Sequence, residues 1–270
     1  MRAFARSRFA LAITGVVLVA ACNSDSATGP TNEQPDLTTL LNETSTAGLV
    51  SASAPVPGRL QGMGTAPAFV PSACAYSDAS KSFTCPTVTV NGLTFTRSFK
   101  LFDAAGNPQS QLDRNTSAIE TISSVTGTIT FSQGNGATGS LTVDRHEDMT
   151  LSGIRTATHV LNGVATSTTS GDVTLPSSGT LHTETTSSEK TENLLLPNHR
   201  LHERWPKSGV ITTHFTTKDT GDDGRTFSST LDVTMTFDGT SIVTITVKSA
   251  FGTSTCKLDM SGSGARGCLP

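Results

Sequence analysis

The chain has 270 residues, enough for one large β domain or two small ones. Only 35% of them are apolar and 5% aromatic, so a core must be built mainly from Val, Ile, Leu and some Phe. The formal charge is −3; a mildly acidic surface with no basic stretch repels phosphate backbones and excludes a nucleic-acid partner.

The N-terminus carries the most specific signal. Arg2, Arg6 and Arg8 form a positive stretch, and residues 9–19 form an apolar one, too short to span a bilayer as a helix. Leu18-Val19-Ala20-Ala21-Cys22 follows. This segment resembles the lipobox of bacterial lipoproteins, in which small residues precede an invariant cysteine. Val19 stands where that family more often has Leu.

The resemblance covers residues 1–22 only. It implies a signal peptide over 1–21, cleavage before Cys22, and acylation of the Cys22 thiol and of the new amine (palmitate or similar chains). Several acyl chains anchor stably, at roughly 0.8 kcal/mol per buried methylene, where one chain does not. The implied partner is therefore a membrane, and the implied location the cell envelope. Asn23 replaces the Asp of the best-known inner-membrane retention signal, which points to the outer membrane. Without its first 21 residues the chain loses three of 19 basic residues, leaving 16 against 22 acids, a balance of −6.

Residues 22–71 are rich in Ser, Thr, Ala, Pro and Gly and read as a flexible linker that lifts the domain from the membrane. One break is residues 36–43, where Leu37, Leu40 and Leu41 stand at helical spacing after Pro35, predicting a short helix.

From 72 to 270 the pattern has period two. In 225–237, Phe227, Leu231, Val233, Met235 and Phe237 alternate with Ser228, Thr230, Asp232, Thr234 and Thr236, as in a half-buried strand. Further strands are predicted at 125–131, 139–145, 149–160, 164–175, 179–190 and 210–217. Asn91-Gly92 fits a type I′ hairpin with Val88 opposite Phe95, and Asn162-Gly163 reads likewise. Around Asp238-Gly239, a loop pairing Met235 with Val243 keeps both apolar faces together. The expectation is an all-β, antiparallel, Thr-rich meander of about ten strands, as a curved sheet, a sandwich or a half-barrel. A transmembrane barrel lacks support, because one Trp and one Tyr make no aromatic girdle.

Cys74, Cys85, Cys256 and Cys268 are an even set in an exported chain, which implies disulfides. Proximity favours Cys74–Cys85 and Cys256–Cys268. Zinc lacks both a C-x-x-C pair and a nearby His.

The candidate chemistry is thin. His199, His202 and Glu203 match no metal-binding order and follow Pro197. Asp219, Asp222 and Asp223 sit near a Gly-rich turn, but Gly221 and Thr230 stand where a calcium loop needs oxygen ligands. His146-Glu147-Asp148 lies in or beside a strand, so its side chains alternate between faces. His159, His182 and His214 read as surface residues. Gly262-Ser263-Gly264 lacks the strand–turn–helix setting of a nucleophilic serine. No catalytic, cofactor-binding or metal-binding residue is assigned.

The expected function is thus a lipid-anchored envelope module that binds a partner protein, a glycan or a hydrophobic ligand without catalysis. The alternatives are a hydrolase of envelope polymers and a lipoprotein-carrier-like half-barrel holding acyl chains. Two close carboxylates with perturbed acidity would favour the hydrolase.

Overall fold

The computed structural model describes Leu37, Leu40, Leu41 and residues 71–132, 136–156, 158–176, 179–196 and 205–259. Thirteen strands make one antiparallel sheet. Short strands come first: β1 (Ala75–Ser77), β2 (Ser82–Thr84), β3 (Val88–Val90), β4 (Leu93–Asp103) and β5 (Pro108–Gln109). The long strands are β6 (Thr116–Ser132), β7 (Thr138–Ser152), β8 (Val160–Leu175), β9 (Gly179–Leu195), β10 (Ser208–Gly221) and β11 (Thr226–Phe237). Two shorter ones, β12 (Ile242–Ser249) and β13 (Gly252–Asp259), complete the sheet. The pairing order is β1-β2-β4-β6-β7-β8-β9-β10-β11-β12-β13, with β3 and β5 beside β4. The outermost strands do not pair with each other, so the sheet is an open, curved meander and neither a sandwich nor a closed barrel.

Local sequence sets this topology. Asn91 (φ 53°) and Gly92 (φ 82°) make the β3–β4 turn, with Val88 opposite Phe95 as the Asn-Gly pair predicts. A Cβ on Gly127 would lie 2.1 Å from the Gly92 carbonyl oxygen, so only glycine lets β6 pass under this turn. The Thr-rich positions meet across strands: Thr96 and Ser124 hydroxyls lie 2.6 Å apart, and Thr128 and Thr142 3.0 Å apart.

Two predicted turns need correction. Asn162-Gly163 is no hairpin but lies inside β8, opposite a bulge that adds one residue to β9. The extra residue, Asn193, has φ 49°, and its amide donates to Asn162 Oδ1 at 2.7 Å. The asparagine there satisfies a displaced amide and does not turn the chain. Between β11 and β12, Met235 faces Ile245 and Val233 faces Val247, two residues further than the predicted register. The loop over 238–241 is longer than expected because Asp238 Oδ1 accepts from the Thr240 amide and hydroxyl, at 3.0 and 2.7 Å. The shift is even, so both apolar faces stay together.

The core lies on one face, called inner below. Leu101, Ile119, Leu151, Leu161 and Leu194 form a row across five strands, each at most 3% exposed. Val243 of β12 and Leu258 of β13 join the same cluster from the far side of the sheet. So do Leu37, Leu40 and Leu41, which are helical, with Leu40 and Leu41 at 1% and 0% exposure. The core therefore takes three leucines from the segment read as linker. Cys74 and Cys85 are disulfide-bonded, as expected from their proximity. A loop of this size is worth about 3 kcal/mol by closure entropy. Beside that bond, the Phe83 ring stacks on Phe99 at 4.5 Å and meets Tyr76 at a tilt, at 5.0 Å. Cys256 is also disulfide-bonded. Cys22, Cys268, the His199–His202–Glu203 cluster and Gly262-Ser263-Gly264 all lie outside them.

Candidate functional site on the inner face

Side chains alternate between faces along a strand, and the apolar inner face is interrupted by charge. In β4 the inner positions read Leu93, Phe95, Arg97, Phe99, Leu101. In β7 they read Leu141, Val143, Arg145, Glu147, Met149, Leu151. In β9, Glu189 and Thr191 share that face, because Glu189 sits opposite Ala165 of β8, which sits opposite Glu147 of β7. The next row along holds Arg145, Ser167 and Ser187.

Arg145 organises the group. Its Nε donates to Glu147 Oε1 at 2.6 Å, and its Nη2 lies 4.0 Å from Glu189 Oε2. The Ser123 hydroxyl donates to the other Glu147 oxygen at 3.2 Å. Glu189 is different. Its side chain is 2% exposed, and neither carboxyl oxygen has a hydrogen-bond partner. Burial without donors penalises the charged form and pushes its pKa from 4.5 up to about 8; Arg145 opposes the shift and Glu147 adds to it. Glu189 is thus a neutral acid at pH 7. The Thr191 hydroxyl, two residues along the same face, is likewise buried and unpartnered. Burial lowers the Arg97 pKa, against the nearby charge of Glu147.

Removing a polar group from water without a compensating bond costs on the order of 1–3 kcal/mol. Glu189 and Thr191 therefore mark a place where the sheet gives up stability. This group can hold a proton at neutral pH, offer it to an acceptor, and present a guanidinium one row away.

The opposite, outer face carries His146, His182 and His214. His182 Nδ1 lies 2.8 Å from Asp172 Oδ1, His214 Nδ1 2.6 Å from Asp232 Oδ1, and His146 Nε2 3.2 Å from Asp144 Oδ1. The hydrogen bond to Asp172 raises the His182 pKa. These pairs are solvated and cross-strand or same-strand neighbours, as expected of surface histidines. On that face too, burial and the charge of Glu120 raise the Asp148 pKa, with Lys100 opposing.

The His146-Glu147-Asp148 triplet divides as strand geometry requires, and only Glu147 turns inward. It is not the solvated residue that a charged triplet suggests, because Arg145 and Ser123 hold it half-buried. Asp222, Asp223 and Gly224 form the β10–β11 turn: Gly221 N donates to Arg225 O at 2.9 Å, and Asp223 Oδ1 accepts from Arg225 N at 3.0 Å. No group of three or more metal-binding side chains occurs among the described residues. Arg97, Arg145 and Glu189 were not singled out from the sequence. For Arg97 and Arg145 the signal is there, as charges standing at apolar positions of a period-two pattern.

Comparison with protein-family models, with curated proteins and with solved structures gives no match. The function therefore rests on the chain's own residues.

Proposed function

We propose that this chain is a bacterial lipoprotein, cut before Cys22 and acylated there, that holds a non-enzymatic binding module in the cell envelope, at the outer membrane. The observation that carries the anchor is the Leu18–Cys22 segment at the end of an eleven-residue apolar run, 9–19. Binding on the inner face is supported by the open sheet and by the largely buried Arg145–Glu147 pair beside the unpartnered Glu189. The bound partner is an envelope protein, a glycan or another envelope ligand with polar groups. Charge across the inner face weighs against the carrier-like reading, since an acyl chain offers nothing to Arg97, Arg145 or Glu147.

The anchor is tested by acyl labelling with membrane fractionation. The expected result is that Cys22→Ala protein takes up no fatty acid and keeps its signal peptide. Fatty-acid labelling of the Cys22→Ala protein overturns the assignment.

A second reading is favoured by one observation: Glu147 and Glu189 are carboxyls on one face, on either side of Arg145, and burial pushes the Glu189 pKa up to about 8. That is how an acid catalyst of a hydrolase is prepared. Turnover of an envelope polymer by the purified protein, lost in Glu189→Gln, would replace the binding reading with this one.

A further inference from the structure

We propose that Arg145 is a proton-controlled clasp: when Glu189 loses its proton, the guanidinium bridges Glu147 on β7 and Glu189 on β9, over Ala165 of β8. The inference stands on the fold and needs neither the lipid anchor nor a ligand.

The geometry is already most of the way there. Glu147, Ala165 and Glu189 occupy one row across three neighbouring strands, which puts the two glutamate Cα atoms about 10 Å apart. Ala165 between them ends at its Cβ and leaves the space above it to longer neighbours. Arg145 projects from the adjacent row of β7, with Nε fixed on Glu147 at 2.6 Å and Nη2 4.0 Å from Glu189 Oε2. A charge-assisted N–H···O bond closes at about 2.8 Å. The missing step is thus a movement of Nη2 by about 1 Å.

The clasp stands open in this structure: Nη2 stops 4.0 Å from Glu189 Oε2, and neither carboxyl oxygen has a hydrogen-bond partner. Ionisation supplies the missing attraction. Among the described residues, one cation lies within reach of Glu189. From β7 come Arg145 and Glu147, with Arg97 of β4 beside Glu147. From β8 come Gly163, Ala165 and Ser167, and from β10 Ile211, Thr213 and Phe215. None of these six titrates. Closing the clasp stitches three strands together and covers Ala165. Opening it frees the Glu189 hydroxyl to donate elsewhere.

The test is a pH titration of the purified protein by NMR, with labelled glutamate δ-carbons and arginine Nε. The Glu189 carbon is expected to titrate with a midpoint of about 8, and the Arg145 Nε signal to shift with the same midpoint. In Glu189→Gln the Arg145 transition should vanish. In Glu147→Gln it should persist at a lower pH, because the charge that disfavours Glu189 ionisation is gone. Two results overturn the proposal: an Arg145 signal that stays flat while Glu189 titrates, or a Glu189 carbon that titrates in the ordinary carboxyl range.

Discussion

Burial of an uncharged Glu189 has a thermodynamic consequence that Glu189→Gln exposes. In the unfolded chain the carboxyl ionises at about its ordinary value of 4.5, and in the folded sheet at about 8. The folded state therefore binds a proton that the unfolded state has lost, and stability falls as pH rises between those values. Below 4.5 both states are protonated and nothing is lost. Above 8 both are ionised and the loss is complete. The gap is about 3.5 units, and at about 1.36 kcal/mol per unit the full loss is about 5 kcal/mol. A domain stable by about 5–15 kcal/mol would feel this strongly.

Glutamine keeps the shape and the buried polar atoms but cannot ionise, so its own cost does not vary with pH. The difference in unfolding free energy, wild type minus Glu189→Gln, should fall by about 1.4 kcal/mol per pH unit from pH 5 to 8 and then level off. Urea unfolding at five pH values, followed by circular dichroism, measures it. Using the difference cancels the contributions of His182 and Asp148, whose pKa values are also raised. A difference that does not change between pH 5 and 8 would refute the reasoning. It would mean that Glu189 is ionised and solvated in the fold.

Two other perturbations read the architecture. Leu41→Ala should destabilise the sheet by about 2–5 kcal/mol in the same urea assay, because its side chain is 0% exposed within the core cluster; a change below about 0.5 kcal/mol would show that residues 37–41 do not belong to the cooperative unit. Cys74→Ser with Cys85→Ser should cost about 3 kcal/mol under oxidising conditions and nothing against the reduced wild type, and an equal cost in both comparisons would assign the loss to packing and not to the cross-link.

Much of the sheet was legible because its chemistry is local. Period-two alternation in 226–237 and the Asn91-Gly92 turn needed only neighbours to be read. Thirteen strands replace the ten or so expected, since β1, β2 and β5 are two or three residues long and carry too little pattern. The segment predicted at 139–145 and the first four residues of that predicted at 149–160 are one strand, β7 (Thr138–Ser152), while β8 begins only at Val160: His146-Glu147-Asp148 looked like a break. It is continuous because outward His146 and Asp148 are solvated, while inward Glu147 has Arg145 and Ser123. A charged residue in a strand is a break only if its face offers no partner, and that partner is named by the neighbouring strands.

The inner-face group was hidden for the same reason, with one further obstacle. Arg97 and Arg145 stand in runs where every second residue is apolar, so their inward direction follows from parity. Glu189 does not yield to that argument. Along β9 the inward residues are Leu181, Thr183, Thr185, Ser187, Glu189 and Thr191, a run with one leucine and no apolar stripe. The nearest strong apolar marker is Leu194, which faces inward at an even number because the extra residue at Asn193 reverses the parity. Counting back from Leu194 places Glu189 outward, with Thr185, Ser187 and Thr191, where a solvated glutamate is the ordinary reading. Only the bulge turns it in, and the bulge is recognised by a contact 31 residues away, the Asn162 side chain accepting from the Asn193 amide. One unpaired backbone residue thus decides whether Glu189 is a surface charge or a buried acid. An Asn162 substitution that releases this bulge should return Glu189 to the ordinary carboxyl range.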